Sequence, residues 1–342
     1  MAIVGGTIID GNGGDPIEDG VILINCDRLV AVGGRSIDIP PQASLVDASR
    51  KFIIPGLMDA NVHLVADYWP LSIIRYEGRY DELAIEAAQI CLKGGVTTVF
   101  DTWGPRAYLV KAREAIKAGK VVASRIFLGG NIVGLGGPFS NDFLPNEAML
   151  EEFPETINSI WQENVGPELV WKSPDQVRAE IREYTRRDID FLKFAVTTHR
   201  GEQQHLMFSP RVQRVIVEEA HRAGLTVQTH TTTNEAMYQA IQAEVNLMQH
   251  MDLTFGPEPI PKEIIALAAE RRIPGGLLPQ TDRALSWYRE NAGRTPMLRR
   301  YEVMEKNARG LIAAGAEIVL TTDAGIFSRN TLNSSSWKSW QL

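Results

Sequence analysis

"FIIPGLMDANVHL", residues 52–64, is the stretch on which the fold turns. Its first half is a short apolar run with a Pro-Gly break. Its second half becomes polar and ends on Asn61 and His63, two residues apart. In an extended segment residues i and i+2 project to the same side, so Asn61 and His63 are expected to face one pocket. The chain reads differently on either side of this stretch. Residues 1–51 are short β-type runs, "AIVGGTIID", "VILINC", "DRLVAVGG" and "ASLVDA", split by Gly-, Asp- and Asn-rich turns. They predict a small β-subdomain, a sheet or half-sandwich.

Over 52–342 short apolar runs alternate with helical patterns. "FIIPGLMD", "TTVFD", "RIFLGG", "DFLKFA", "TVQTH", "NLMQH", "GGLLP" and "EIVLTTD" are the strand candidates. Between them lie "DELAIEAAQICLKGG", "SPDQVRAEIREYTRR", "SPRVQRVIVEEAHRAG" and "PKEIIALAAERR", several opening on Ser or Pro and closing near Gly, as helices do. Eight β/α alternations over about 280 residues have the size and rhythm of an α/β fold of the (β/α)8 TIM-barrel type. The insert between Gly130 and Ser173 reads as an elaborated loop at the active-site face.

Composition narrows the partners. The 342 residues carry a net charge of −7 without a basic cluster, which argues against nucleic acid. Cys26 and Cys91 stand far apart, giving neither a disulfide framework nor a thiolate zinc site. The start "MAIVGGTIIDGNGG" lacks the basic and apolar regions of a signal peptide, and no run approaches the roughly 20 apolar residues of a membrane span. A cytoplasmic protein with no membrane partner is expected. "GGNIVGLGG" is followed by no Gly-Lys-Ser/Thr, so a phosphate loop is excluded.

The polar residues fall at the predicted strand ends: Asn61 and His63 after the first, Lys193 inside the fourth, His230 ending the fifth, His250 the sixth and Asp323 the eighth. Singly, each has an ordinary structural explanation. A histidine at a strand end is commonly a hydrogen-bonded core residue, and an Asp after "IVLTT" commonly caps a turn. Together they would rim the mouth where barrel enzymes keep their chemistry. Imidazoles and carboxylates hold zinc, cobalt, iron or manganese, and an open position on such an ion turns water into hydroxide near neutral pH. A buried ammonium at Lys193 is costly, and carboxylation would convert it into an anionic oxygen ligand able to bridge two ions. Asp323 can bind the ion and serve as general base and then acid. His199 and His205, on the loop after the fourth strand, could touch substrate but read first as exposed loop histidines, and His221, in "EEAHRAG", as a surface residue. Tyr68, Trp69, Trp103 and Phe139 could line an apolar pocket or pack the loops.

The chain at this point resembles the amidohydrolase superfamily, in its imidazolonepropionase-like and Xaa-Pro dipeptidase-like branch. The likeness is carried by "GTIIDGNGGDPIEDGVILI", "IIPGLMDANVHL", "GGVTTVFD", "QTHTTTNEAMYQAI", "LMQH" and "EIVLTTDAG". It implies one or two divalent metal ions held by His63, Lys193, His230, His250 and Asp323, with a metal-bound hydroxide attacking a carbonyl. The family's usual first ligand is His, and Asn61 stands there, as in the Asn-X-His of phenylurea hydrolases and molinate hydrolase. Asn61 is therefore expected to be a ligand through its amide oxygen, a harder donor than imidazole, or else a loop cap. Pro138 in "GLGGP" and Thr232 in "HTTT" replace histidines of the dipeptidase-like members, which favours a smaller, less charged substrate than a peptide. The family also completes its small sheet with strands following the Asp323 position. Here "FSRNTLNSSSWKSWQL" follows, so a truncated form that leaves half of a composite sheet, or a homo-oligomer that covers the gap, is expected.

Two classes of function fit these residues. One is a metal-dependent hydrolase of amide-like C–N bonds in a small neutral substrate, an N-aryl urea first and a thiocarbamate second. The other is a metal-binding remnant that keeps the ligands without turnover.

Overall fold

The structure, a computed structural model, describes residues 1–66, 71–140, 142–143, 152–199, 204–254, 256–278, 285–286, 289–290 and 296–325. The chain forms two compact units, Met1–Leu57 and Met58–Leu342.

The first unit is a five-stranded sheet of β1 (Ala2–Ile8), β2 (Ile17–Asn25), β3 (Arg28–Gly33), β4 (Leu45–Asp47) and β5 (Phe52–Ile53), in the order β3-β2-β1-β4 with β5 also on β1. β1–β2 and β2–β3 are antiparallel, while β4 and β5 run parallel to β1. The turn between β2 and β3 is only Cys26 and Asp27, with Cys26 in the left-handed region at φ +54°. Ala2, Ile8, Val21, Ile22 and Ala48 are buried.

Among the described residues the second unit holds eight strands: β6 (Leu57–Val62), β7 (Val96–Asp101), β8 (Arg125–Leu128), β9 (Phe191–Ala195), β10 (Thr226–His230), β11 (Leu247–Gln249), β12 (Gly275–Leu277) and β13 (Ile318–Leu320). They lie in two sheets, β6-β7-β8 and β13-β12-β11-β10-β9. All four pairings of the larger sheet are parallel, as is β7–β8. The eight-strand α/β rhythm is therefore present, but the sheets do not close into one ladder as a barrel would. Isolated parallel bridges, Val62 to Ala324 and Val133 to Phe194, run where the remaining ladders would be. The strands explain this. β11, β12 and β13 are three residues each, and after β8 the left-handed Gly130 (φ +71°) ends the extended backbone before a full ladder to β9 can form.

The first strand also differs from its expected place. "FIIPGLMD" is not one strand. Pro55 cannot donate to a ladder, and the run divides into β5, paired with β1, and β6, which starts at Leu57 and carries Asn61 within it.

The helices are α1 (Leu71–Arg75), α2 (Tyr80–Lys93), α3 (Arg106–Lys117), α4 (Glu152–Gln162), α5 (Pro174–Tyr184), α6 (Pro210–Arg222), α7 (Asn234–Gln242), α8 (Lys262–Arg271) and α9 (Pro296–Ala313). The four patterned stretches form α2, α5, α6 and α8, further helices lie between and beside them, and the 130–173 insert, read as a loop, carries α4. α5 starts on a capping box: Gln176 N–H donates to Ser173 Oγ (3.4 Å) and Ser173 N–H to the Gln176 side chain (2.8 Å). Leu83, Ala84, Ala87 and Ala88 form the buried stripe of α2. Between α5 and α6 the buried Glu219 carboxylate takes hydrogen bonds from Arg178 (2.6 Å), Arg182 (3.1 Å) and Arg222, which outweigh its burial and hold it at about 2. No helix among the described residues is long and apolar enough to cross a membrane.

Candidate active site

The strand ends of the second unit bring the predicted residues together. Asn61 points inward from β6 and is fully buried. His63 follows, its backbone N–H donating to the Ala324 carbonyl at 2.8 Å. Lys193 lies mid-strand in β9, whose five residues are all buried. His230 ends β10 and His250 follows β11, both buried. Asp323 sits three residues past β13 at φ +52°, its N–H on the Asn61 carbonyl (2.9 Å).

Asp323 Oδ1 collects two donors, His63 Nε2 at 2.9 Å and Asn61 Nδ2 at 3.0 Å. Burial pushes its carboxyl up, but the His63 hydrogen bond and the charges of His250, His63 and Lys193 outweigh this and hold it well below the usual range. The other side of the Asn61 amide is engaged too: Thr102 Oγ1 donates to Asn61 Oδ1 at 2.5 Å, and Lys193 Nζ donates to Thr102 at 3.0 Å. The oxygen that a ligand role for Asn61 requires is thus held by Thr102. Burial draws Lys193 down to about 8, against the upward pull of Asp323 and Asp101.

Two imidazoles, His230 and His250, meet edge to face, with ring centroids 4.7 Å apart and planes 75° from parallel. Among the described residues neither nitrogen of His230 has a hydrogen-bond partner, nor does Nδ1 of His63, and all three atoms are buried. Such orphaned groups are costly unless something occupies the site. Burial, reinforced by the neighbouring histidines and Lys193, holds His230 well below its ordinary value and therefore neutral. Burial brings His250 down to about 4. Thr254 donates its hydroxyl proton to Asp252 (2.8 Å), so its oxygen accepts from His250 Nδ1 (3.2 Å). That leaves His250 Nε2 carrying the lone pair, which is the ligating tautomer. Among the described residues no three His, Cys, Asp or Glu side chains are close enough as they stand to form a metal shell.

Three buried carboxylates support the loops from below. Asp59 accepts from the N–H groups of Asn61 and Thr322 (both 3.2 Å), Asp101 from those of Leu64 (2.8 Å) and Trp103 (3.2 Å), and Asp252 from that of Leu278 (2.9 Å). Burial raises each to about 6. Behind Asp323, Gly325 has φ +101°, and a Cβ there would come within 1.9 Å of the His63 carbonyl oxygen. Gly325→Ala is accordingly expected to destabilise the fold by about 1–3 kcal/mol or more, because the left-handed strain adds to a clash with backbone. Chemical denaturation would measure it, and a loss under about 0.5 kcal/mol would contradict this packing.

His199 corrects the sequence reading. It is not an exposed loop residue: its ring lies 4.3 Å from that of His230, with Nδ1 on Asp142 Oδ2 (2.9 Å) and its own N–H on Asp142 Oδ1 (3.1 Å). Trp103 and Phe143 stand 5.8 and 6.0 Å from it, and Trp103 is 6.2 Å from the His63 ring. Nothing in the sequence marks Thr102 or Asp142, because a single Thr after a strand, or an Asp in a long loop, has no periodicity. Phe139 packs on Phe153 (5.6 Å) instead of on these residues, and Thr232 bonds Thr197 (2.7 Å). His205 and His221 are exposed, His221 bonding Asn246 (2.8 Å). Tyr68 and Trp69 lie outside the described residues.

Residues 52–337 match the Amidohydrolase family. In structure the chain is similar to phenylurea hydrolase B, with a TM-score of 0.90 and 34% identity over 96% of this chain and 76% of that one. It is likewise similar to molinate hydrolase, with a TM-score of 0.88 and 36% identity over 94% of this chain and 72% of that one. In sequence it is 23% identical over 339 residues to ochratoxinase of Aspergillus niger, covering 94% of this chain and 68% of that one.

Proposed function

Starting from the fact that this chain belongs to the amidohydrolase family, hydrolases of carbon–nitrogen bonds, we propose that it is a metal-dependent enzyme that cleaves N-aryl ureas. The observation that carries the metal reading is His230, a buried neutral imidazole set edge to face with His250, whose two nitrogens have no partner among the described residues. Neutral imidazoles beside an anionic carboxylate are a donor set for a borderline divalent ion. His63, His230, His250 and Asp323 would hold it, with Lys193, carboxylated by carbon dioxide, and Asn61 as further ligands. When bound, the ion supplies Lewis acidity, which lowers the pKa of water and polarises a carbonyl.

The chain's own residues do the rest. Asp323, anionic and aimed between Asn61 and His63, can take a proton from water and return it to the departing nitrogen. The Asp252–Thr254–His250 chain fixes one imidazole tautomer. Trp103, Phe143 and His199 set aromatic surface beside His230, and this supports an aryl group on the substrate. The thiocarbamate alternative is supported by the 36% identity with molinate hydrolase.

The test is hydrolysis by the purified chain of a neutral N-aryl urea, a dialkyl thiocarbamate and an Xaa-Pro dipeptide, before and after chelation. The aryl urea is expected to have the highest kcat/KM, at least about tenfold above the dipeptide, a margin equivalent to ~1.4 kcal/mol of transition-state binding. Activity should vanish with chelator and return with zinc or cobalt. Preference for the dipeptide would reverse the substrate class, and chelator-resistant turnover would remove the metal. Tight metal binding without turnover on any substrate would favour the remnant.

A further inference from the structure

Four side chains from β6, β9 and the segments after β7 and β13 form a single file: Lys193 Nζ to Thr102 Oγ1 (3.0 Å), Thr102 Oγ1 to Asn61 Oδ1 (2.5 Å), Asn61 Nδ2 to Asp323 Oδ1 (3.0 Å). Lys193, Thr102 and Asn61 are each at most 1% exposed, so water does not substitute for any link among them. The direction of the file is forced. An ammonium only donates, an amide oxygen only accepts, an amide nitrogen only donates and an ionised carboxylate only accepts. With Lys193 as donor, the one hydroxyl proton of Thr102 is left for Asn61, and the amide is locked with its nitrogen towards Asp323. The opposite flip would set Asn61 Oδ1 against Asp323 Oδ1, two acceptors without a proton between them.

We propose that Thr102 is a positioning residue that makes the orientation of the Asn61 amide depend on the chemical form of Lys193. When the neutral lysine amine adds to carbon dioxide, its lone pair forms the N–C bond, one C–O π pair moves onto oxygen, and one N–H proton leaves to solvent. The resulting carbamate oxygens only accept. The Thr102 proton then turns from Asn61 to the carbamate, and Asn61 Oδ1 is released as a donor atom for a hard divalent ion. Thr102 thereby couples two candidate ligand positions on different strands, so that the amide oxygen becomes available only when the lysine has become an anion. This rests on the metal-site reading above and not on the substrate class.

The test uses the full chain, metal-free, labelled with [15N]asparagine, in the parent, Thr102→Val and Thr102→Ser forms. The Asn61 side-chain amide signal is identified by its loss in Asn61→Ala. [13C]bicarbonate is added while the amide signal and the carbamate carbon are followed, and zinc affinity is then measured by competition titration. In the parent and Thr102→Ser the Asn61 amide should move in step with the carbamate. In Thr102→Val the carbamate should form while the Asn61 amide stays indifferent to it, and zinc affinity should fall by about 10- to 100-fold. Lys193→Met, an independent variant that can form no carbamate, should leave the Asn61 signal unmoved by bicarbonate. The proposal is overturned if the amide follows the carbamate in Thr102→Val, if Thr102→Ser behaves as Thr102→Val, or if the parent forms no carbamate. None of these readouts involves substrate, so failure to cleave aryl ureas leaves the relay standing.

Discussion

Asp323→Asn is expected to lower kcat by about 10²- to 10⁴-fold, the range for removing a general base, while leaving the fold intact. Asp323 occupies a left-handed backbone position at φ +52°. Asn tolerates that conformation as well as Asp does, so the substitution should not strain the chain. The electrostatics change completely. One carboxylate oxygen now accepts from both His63 Nε2 and Asn61 Nδ2. A neutral amide cannot satisfy both as an anion does, and it has no basic site for a proton. The carboxyl is held well below its usual range, with the His63 hydrogen bond and the nearby charges prevailing over burial, so it is ionised throughout neutral pH. The measurement is kcat/KM alongside an unfolding curve, with His221→Ala, a change at the exposed end of α6, as the unaffected control. Turnover within tenfold of the parent would remove Asp323 from the mechanism.

Lys193→Met is expected to weaken metal binding without lowering the stability of the metal-free fold. Lys193 is 1% exposed, and among the described residues its ammonium has one hydrogen bond, to Thr102. Burial depresses it from 10.5 to about 8. In that window the unfolded chain binds a proton that the folded chain has released, so stability rises with pH between about 8 and 10.5. The thioether removes both this slope and the buried charge. The metal-free variant should therefore unfold at a temperature no lower than the parent near pH 7, and its midpoint should be flat across the window where the parent's climbs. Loss of the oxygen ligand should at the same time cost at least one bound metal ion and about 10- to 100-fold in metal affinity. Thermal scans at several pH values and metal content after dialysis with and without bicarbonate give both readings. Full, bicarbonate-independent metal content in the variant would make Lys193 a structural residue.

The strand and helix rhythm was legible because periodicity is local. "DFLKFA" reads as a buried strand from its own residues, and "SPDQVRAEIREY" carries its helix start in Ser173 and Gln176. The first strand begins later than the sequence suggests because the apolar residues on both sides of Pro55-Gly56 read alike, and only the pairing of Phe52 with Thr7 shows that the first part belongs to another sheet. His199 was misread for a related reason. A loop histidine looks exposed until Asp142, 57 positions away, draws it onto His230.

The sequence by itself determined the α/β alternation and the order of its strands, and it placed Asn61, His63, Lys193, His230, His250 and Asp323 at or near strand ends or centres, because a period of two and a strand end are properties of neighbouring residues. Which atom each residue presents was decided only by the tertiary structure. Thr102 stands 41 positions from Asn61 and 91 from Lys193, yet its hydroxyl donates a hydrogen bond to one and accepts a hydrogen bond from the other. Asp323 lies 260 positions from His63 and shares its ring proton. Hydrogen-bond direction and the neutral state of His230 arise from groups that meet only after folding has excluded water, and no local pattern of residues encodes that meeting.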